Sequence, residues 1–206
     1  MEFEQAVKNR RSIRRFLDRD VPDELLTSLI DCALMAPSSM NGQPWNFIVI
    51  RDNETKARLA AVKNRYCPED KKDYSADFIM EAPLLILTCV NRKLAFDRGV
   101  ENGVLATAHL LLAAANNGLT TVYMSAHTPG MPEVAAEIRS ILEIPQDFDP
   151  ITLVPVGYPA EPPAAKTLKH VEEVLFHEAF GRKERLIQKQ HRSSLQAGSK
   201  RCLQVS

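Results

Sequence analysis

Several absences narrow the chemistry open to this chain of 206 residues. Its four cysteines, Cys32, Cys67, Cys89 and Cys202, are scattered and make none of the close pairs of a zinc site or a redox dithiol, so reduced thiols in a cytoplasmic protein are the simplest account. Net charge is absent too: Lys plus Arg and Asp plus Glu are both 26, which leaves no global basic field to hold nucleic acid. Any anion site is therefore local. The longest strongly apolar run, residues 104–115, is interrupted by His109 and is too short to span a bilayer. Glu2 and Glu4 stand where a signal peptide would carry a basic region ahead of an apolar run. No Gly-x-Gly-x-x-Gly follows a strand, which argues against a Rossmann domain. His109, His127, His170, His177 and His191 show no ligand spacing, so no metal is expected. There is no internal repeat.

What is present begins with Arg10-Arg11-Ser12-Ile13-Arg14-Arg15-Phe16, directly after an amphipathic opening over residues 1–9. On an extended course, alternation sends Arg10, Ser12 and Arg14 to one face while Ile13 and Phe16 anchor the segment. Guanidinium forks suit phosphate and polarised carbonyl oxygens, so that face is a candidate anion clamp; the bland alternative is a solvated basic turn. A second unusual stretch is Pro37-Ser38-Ser39-Met40-Asn41-Gly42-Gln43-Pro44-Trp45, with the chain's one tryptophan. It reads either as a rigid polar turn or as a loop offering amides, hydroxyls and backbone N–H groups to a ligand while Trp45 packs beneath.

Periodicity organises the rest. A helix is expected from Pro22 to about residue 36, a strand over 46–50, and a helix capped by Asn53 to about residue 63. Residues 64–77 are polar, hold Tyr66, Cys67 and Tyr74, and read as a mobile lid. Then come a doubly buried strand over 84–90, a helix over 97–117 that is apolar nearly all round and stops at Gly118, a strand over 120–124, a helix over 132–142 and a strand over 151–156. A proline-rich connection leads past Lys166 and Lys169 to a helical-looking stretch over 171–180. The alternation predicts an α+β fold, an α/β sandwich around one sheet, in a single domain over 1–181, with a basic tail over 182–206 that is disordered or wraps a partner.

The first two motifs in series with Val154-Pro155-Val156-Gly157-Tyr158-Pro159 resemble the nitroreductase family of FMN-dependent enzymes, over roughly residues 1–180. The resemblance implies a homodimer with a mainly antiparallel central sheet flanked by helices, with an FMN in each of two sites at the subunit boundary. It implies ping-pong chemistry in which NADH or NADPH, as a transient co-substrate, reduces the flavin and a nitroaromatic, quinone or similar small acceptor reoxidises it. Carried over, Arg10, Arg11 and Ser12 match positions at the FMN phosphate and ribityl end, and Arg14 matches a basic residue at the pyrimidine edge, where a cation favours the reduced ring. Pro37, Ser38, Ser39, Met40, Asn41 and Gln43 would close over the cofactor from the other subunit, and Lys166 and Lys169 would complete the phosphate clamp. Met124, Ser125 and Ala126 fall where many relatives have a proline and then a Glu-Gly pair beside the flavin N5 edge; Ser125 and Ala126 stand in place of the pair, and backbone N–H groups there can still reach N5. Asn64, Lys72 and Ser75 are candidates for further flavin contacts. No side chain is needed as a nucleophile, since the flavin carries the chemistry. Two alternatives stay open: a specialised relative for dehalogenation or oxygen-dependent fragmentation, and a non-catalytic flavin-binding module.

Overall fold

The computed structural model describes residues 2–67 and 74–183. Lys72, His191, Cys202 and the tail from residue 184 onward lie outside the described residues. The chain divides into two compact units, 1–164 and 165–206. In the first, helices α1 (Phe3–Asn9), α2 (Asp23–Leu34), α3 (Asn53–Arg65), α4 (Phe78–Glu81), α5 (Gly99–Asn116) and α6 (Pro132–Ile141) surround strands β1 (Trp45–Ile50), β2 (Leu84–Asn91), β3 (Thr120–Thr121), β4 (Met124–Ser125) and β5 (Phe148–Gly157).

The sheet runs β1-β2-β5-β3, with β4 also on β5, and every pairing is antiparallel. β2 and β5 are therefore central. Period-two alternation sends Leu85, Leu87 and Cys89 of β2 into one core with Leu59, Ile79 and Ile138, under α3, α4 and α6. Leu84 and Ile86 enter a second core with Leu29, Ala33 and Leu110, under α2 and α5. Both faces of the sheet are thus covered by helices, and the continuous apolar run of β2 follows from it. The β2–β5 register slips between Thr88 and Cys89, opposite Pro150, which has no N–H to give to the ladder. α5 lies close on β5: a Cβ at Gly103 would sit 2.9 Å from the Ile151 side chain.

Local differences from the sequence reading have local causes. Asp52, not Asn53, caps α3, its carboxylate accepting the Thr55 N–H at 2.7 Å. The strand expected over 120–124 is two short strands, with the intervening Val122 N–H bonded to the Pro155 carbonyl at 3.3 Å. Gly118 ends α5 region at φ +72, as a stop residue should. In the second unit, helix α7 covers only Val171–Val174. Beyond it the Phe176 and Phe180 rings lie 4.5 Å apart. No helix among the described residues is long and apolar enough to cross a membrane.

Candidate active site

The outer edge of β4 carries the site. Met124 pairs with Leu153 and Ser125 with Thr152, while the N–H groups of Val122 and Ala126 donate to the Pro155 and Ile151 carbonyls at 3.3 and 2.9 Å. Antiparallel pairing turns alternate residues toward the partner strand, so Tyr123 and Ser125 present their main-chain groups to the opposite side. There the Ser125 carbonyl accepts from the Lys63 ammonium at 2.8 Å, and its N–H faces the same space. The Ser125 hydroxyl is held locally: it donates to the His127 carbonyl and accepts the His127 N–H at 3.2 Å. Ser125 and Ala126 are therefore not equivalent. The Ala126 N–H is used by the sheet, and only Ser125 of that pair offers one to a ligand.

This edge bounds a cavity of about 390 Å³ whose other walls are Arg14, then Lys63, Tyr66 and Cys67 at the end of α3, and Tyr74. Arg14 arrives because the segment after α1 runs extended, Ser12 bridging to Thr121 and Phe16 to Pro159. Ile13 and Phe16, both 7% exposed, anchor it in the core. The Arg14 guanidinium lies 5.7 Å from the Phe78 ring centroid, and its main-chain N–H donates to Glu161 at 3.3 Å.

The phenols of the cavity are kept neutral for different reasons. The Tyr66 hydroxyl donates to Glu137 at 2.7 Å, and that carboxylate, with burial, raises the phenol pKa. Burial raises those of Tyr74 and Tyr123. Tyr74 also meets Phe78 edge-on, at 6.3 Å and 81°. Burial pulls the Lys63 pKa below its usual 10.5 against the opposing pull of Cys67.

The expected residues fall in different places. Arg14, Met124 and Ser125 come together at this edge, whereas Ser12 bridges to Thr121 of β3 and does not line the cavity, with the half-buried Arg10 beside it in sequence. The Arg11 guanidinium, expected with them, instead reaches main-chain carbonyls of Lys8, Arg10 and Ala164, the last two at 3.0 and 3.4 Å. Pro37, Ser38, Ser39, Met40, Asn41 and Gln43 lie before β1 at the other side of the sheet. Three inter-strand steps, about 14 Å, separate β1 from β4. Lys166 and Lys169 are exposed residues of the second unit.

Asn64 and Ser75 turn out to brace the chain. The Asn64 amide donates to Asp77 at 2.7 Å and accepts the Ala76 N–H at 2.6 Å, and Ser75 accepts the Asp77 N–H at 3.0 Å, so both flanks of residues 68–73 are fastened. Lys63 is the residue that sequence reasoning missed. Its signal was there: with Lys56 it puts two lysines on the side of α3 that also carries the buried Leu59, Ala60 and Val62.

A protein of Methanothermobacter thermautotrophicus, provisionally named NADH dehydrogenase/NAD(P)H nitroreductase, is 33% identical over 170 residues, covering 82% of this chain and 83% of its own. The iodotyrosine deiodinase of Haliscomenobacter hydrossis is 33% identical over 187 residues, covering 78% of this chain and 80% of its own. The crystal structure of oxidised iodotyrosine deiodinase bound to FMN and 3-iodo-L-tyrosine superposes with a TM-score of 0.73 at 26% identity, covering 87% of this chain and all of that one. The sequence pattern of the nitroreductase family matches residues 7–158, and the chain belongs to that family.

Proposed function

We propose that this chain is an FMN-dependent oxidoreductase that draws electrons from NADH or NADPH and reduces small aromatic acceptors such as quinones and nitroaromatics. The observation that carries it is the meeting of the Arg14 guanidinium and the outward Ser125 N–H on one cavity. A fixed cation and an unpaired edge donor, backed by the apolar walls of Val122 and Met124, suit a flat heterocycle that gains electron density on reduction. The chemistry that bound FMN would supply is two-electron transfer, from a nicotinamide hydride to the acceptor with two protons, converting quinone to quinol or nitro to nitroso plus water. The protein's part is to orient and to stabilise charge: Arg10 and Ser12 would hold the phosphate end, Arg14 the pyrimidine edge, and Ser125 the N5 edge.

The loop over 37–43 belongs in this reading as a contribution from a second copy. Met40, Asn41 and Gln43 have φ of 51, 55 and 42, and a Cβ at Gly42 would lie 2.2 Å from the Leu94 carbonyl oxygen. The buried Asn102 side chain fixes the loop by accepting the Ser39 N–H at 3.0 Å and donating to the Ala95 carbonyl at 3.1 Å. A strained conformation this firmly held, with Met40 81% exposed, supports a loop shaped for another surface. Met35 at 79% and Leu105 of α5 at 40% add apolar area for a homodimer.

The test is anaerobic titration of the yellow protein with NADH and NADPH. Bleaching, followed by recovery of colour with menadione or a nitroarene, is expected. A flavin that neither nicotinamide reduces would point to the binding-module or the specialised reading. Arg14→Ala should weaken FMN at least about tenfold, the loss of one charge-assisted bond, and lower the flavin potential. Unchanged affinity and potential would remove Arg14 from the site. A second reading, reductive dehalogenation, is supported by the deiodinase relatives. There an aryl iodide takes two electrons and a proton and releases iodide, so reduced protein with 3-iodo-L-tyrosine should yield tyrosine and iodide.

A further inference from the structure

Asn102 is a polar side chain sealed inside the molecule, 1% exposed near the start of α5. A buried amide costs stability unless its groups are bonded, and here both are. Its oxygen accepts the Ser39 N–H at 3.0 Å and the Ser39 hydroxyl at 3.4 Å, and its NH2 donates to the Ala95 carbonyl at 3.1 Å. Among the described residues the other hydrogen bonds of 38–43 are local, with Ser38 accepting from Gln43 and Asn41, Ser39 from Gly42, and Asn41 from the Gln43 amide. Asn102 is thus the hydrogen-bonding link between this loop and the body of the chain. The two segments that it joins are both strained: Met40, Asn41 and Gln43 have positive φ on one side, and Phe96 and Asp97, at 50 and 56, on the other. Such geometry is a real outlier for a phenylalanine and persists only where the surroundings over-determine it. The segments also fit back to back, since a Cβ at Gly42 would lie 2.2 Å from the Leu94 carbonyl oxygen and 3.0 Å from the Phe96 ring.

Burial alone does not call for an amide at this place. A leucine of similar size would fill the space, but it would fix neither the direction of the Ser39 N–H nor that of the Ala95 carbonyl; a donor and an acceptor on one planar group fix both. We infer that Asn102 is the positioning residue of the cofactor loop: its amide joins 37–43 and 94–97 into one body, whose shape a flavin held by a second copy of the chain requires. The exposed Met40, Leu94 and Phe96 are the large side chains that this body presents outward. The inference rests on the reading in which the loop closes over the FMN of another copy. It adds that the fit of the loop is set from α5 and acts on the partner's flavin, while Arg14 acts on the flavin of its own copy.

The test begins with FMN titrations of the parent, Asn102→Leu, Asn102→Asp and Thr107→Val. Thr107 is the control, a fully buried polar residue of the same helix whose hydroxyl bonds the Gly103 carbonyl and the hydroxyls of Thr88 and Thr152. Asn102→Leu should weaken FMN about tenfold, and Asn102→Asp, which keeps the acceptor and loses the donor, should weaken it less; Thr107→Val should stay within about twofold of the parent while melting lower. Parent-like affinity in Asn102→Leu overturns the inference, as does an equal loss in Thr107→Val. The second arm uses hybrid dimers purified through two different tags. Pairing an Arg14→Ala copy with an Asn102→Leu copy should leave one site of parent affinity per dimer, because one flavin then meets an intact Arg14 and an intact loop. Pairing the double variant with the parent should leave none. The reverse pattern, or a parent that binds FMN as a monomer, places the effect of the loop in its own copy and overturns the inference. If Asn102→Leu does not fold, Asn102→Asp takes its place in both arms. A parent that takes up no FMN removes the cofactor reading and the inference together, whereas a parent that binds FMN no better than its Asn102 variants removes the inference alone.

Discussion

Lys56 and Lys63 lie seven residues apart on α3, so they leave the helix on one side, about 10 Å apart along its axis. Each ammonium donates to a main-chain carbonyl, Lys56 to Ala82 at 2.9 Å and Lys63 to Ser125 at 2.8 Å. Burial lowers the pKa of both. Their surroundings then diverge. Lys56 is sealed, 4% exposed, with Asp52 and Asp20 offsetting the cost of burying its charge. Lys63 stands on a cavity wall, and among the described residues the neighbour that favours its charged form is Cys67. The same bond thus does two jobs. Where acids close the electrostatic balance, a buried lysine is part of the scaffold; where the lysine opens on a cavity, it is available to a ligand.

The largest effect that would test this contrast is on stability. Lys56→Ala leaves the Ala82 carbonyl without its donor in a closed space and removes a packed four-carbon stem, and should cost about 1–3 kcal/mol in chemical denaturation. Lys63→Ala opens the Ser125 carbonyl to a cavity that water can enter, and should cost less than about 1 kcal/mol. Equal losses would mean that Lys63 is as structural as Lys56 and would break the comparison.

Next in size is a pH effect on FMN binding at the cavity. Lys63 titrates below the ordinary 10.5, so its share of FMN affinity should be full at neutral pH and lost as pH rises through that lowered value. Among the described residues, the other titratable or charged groups facing it are Arg14, Cys67 and the phenols of Tyr66, Tyr74 and Tyr123, whose pKa values are raised above 10.0. A fall in affinity as pH rises that vanishes in Lys63→Met therefore identifies the ammonium. The stability sign is the reverse for both lysines. Between the lowered folded value and 10.5 the unfolded chain holds protons that the folded chain has released, so stability rises with pH across that window, and below it the penalty is fully present. The phenols oppose this above 10.0, where the unfolded chain loses protons that the folded one keeps.

Much of the scaffold behind this contrast was legible in the sequence. The run over 84–90 announced a doubly buried strand because it has no polar face, and the period of α2 placed Leu29 and Ala33 inward. The anchors Ile13 and Phe16 and the burial of Trp45 were readable as apolar side chains bracketing polar motifs. Less legible was anything set by which backbone groups a neighbour consumes. That Ala126 gives its N–H to Ile151 while Ser125 keeps one outward depends on strand register, which no local pattern encodes. Asn64 looked like a ligand contact because its amide can serve either purpose; only the fold brings Ala76 and Asp77 to it. Lys63 was overlooked because lysine on a helix is ordinarily a surface residue, and its departure shows only when the helix is laid on a sheet.

The smallest effect concerns Asp52, which both caps α3 and faces Lys56. Hydrogen bonds from the Thr55 main chain and hydroxyl hold its carboxyl below the usual 3.8. Asp52→Asn keeps an oxygen that can cap and removes only the charge, whereas Asp52→Ala removes both. If the cap matters most, Asp52→Asn should shift the melting temperature by less than about 2 °C, with Asp52→Ala clearly lower. Since a depressed carboxyl contributes above its unfolded pKa and is lost as pH falls through the folded one, the parent and Asp52→Ala should also converge on acidification. Equal damage from both substitutions would say that the charge opposite Lys56 outweighs the cap, and would make the acid neighbours the feature that separates the sealed lysine from the one left open to a ligand.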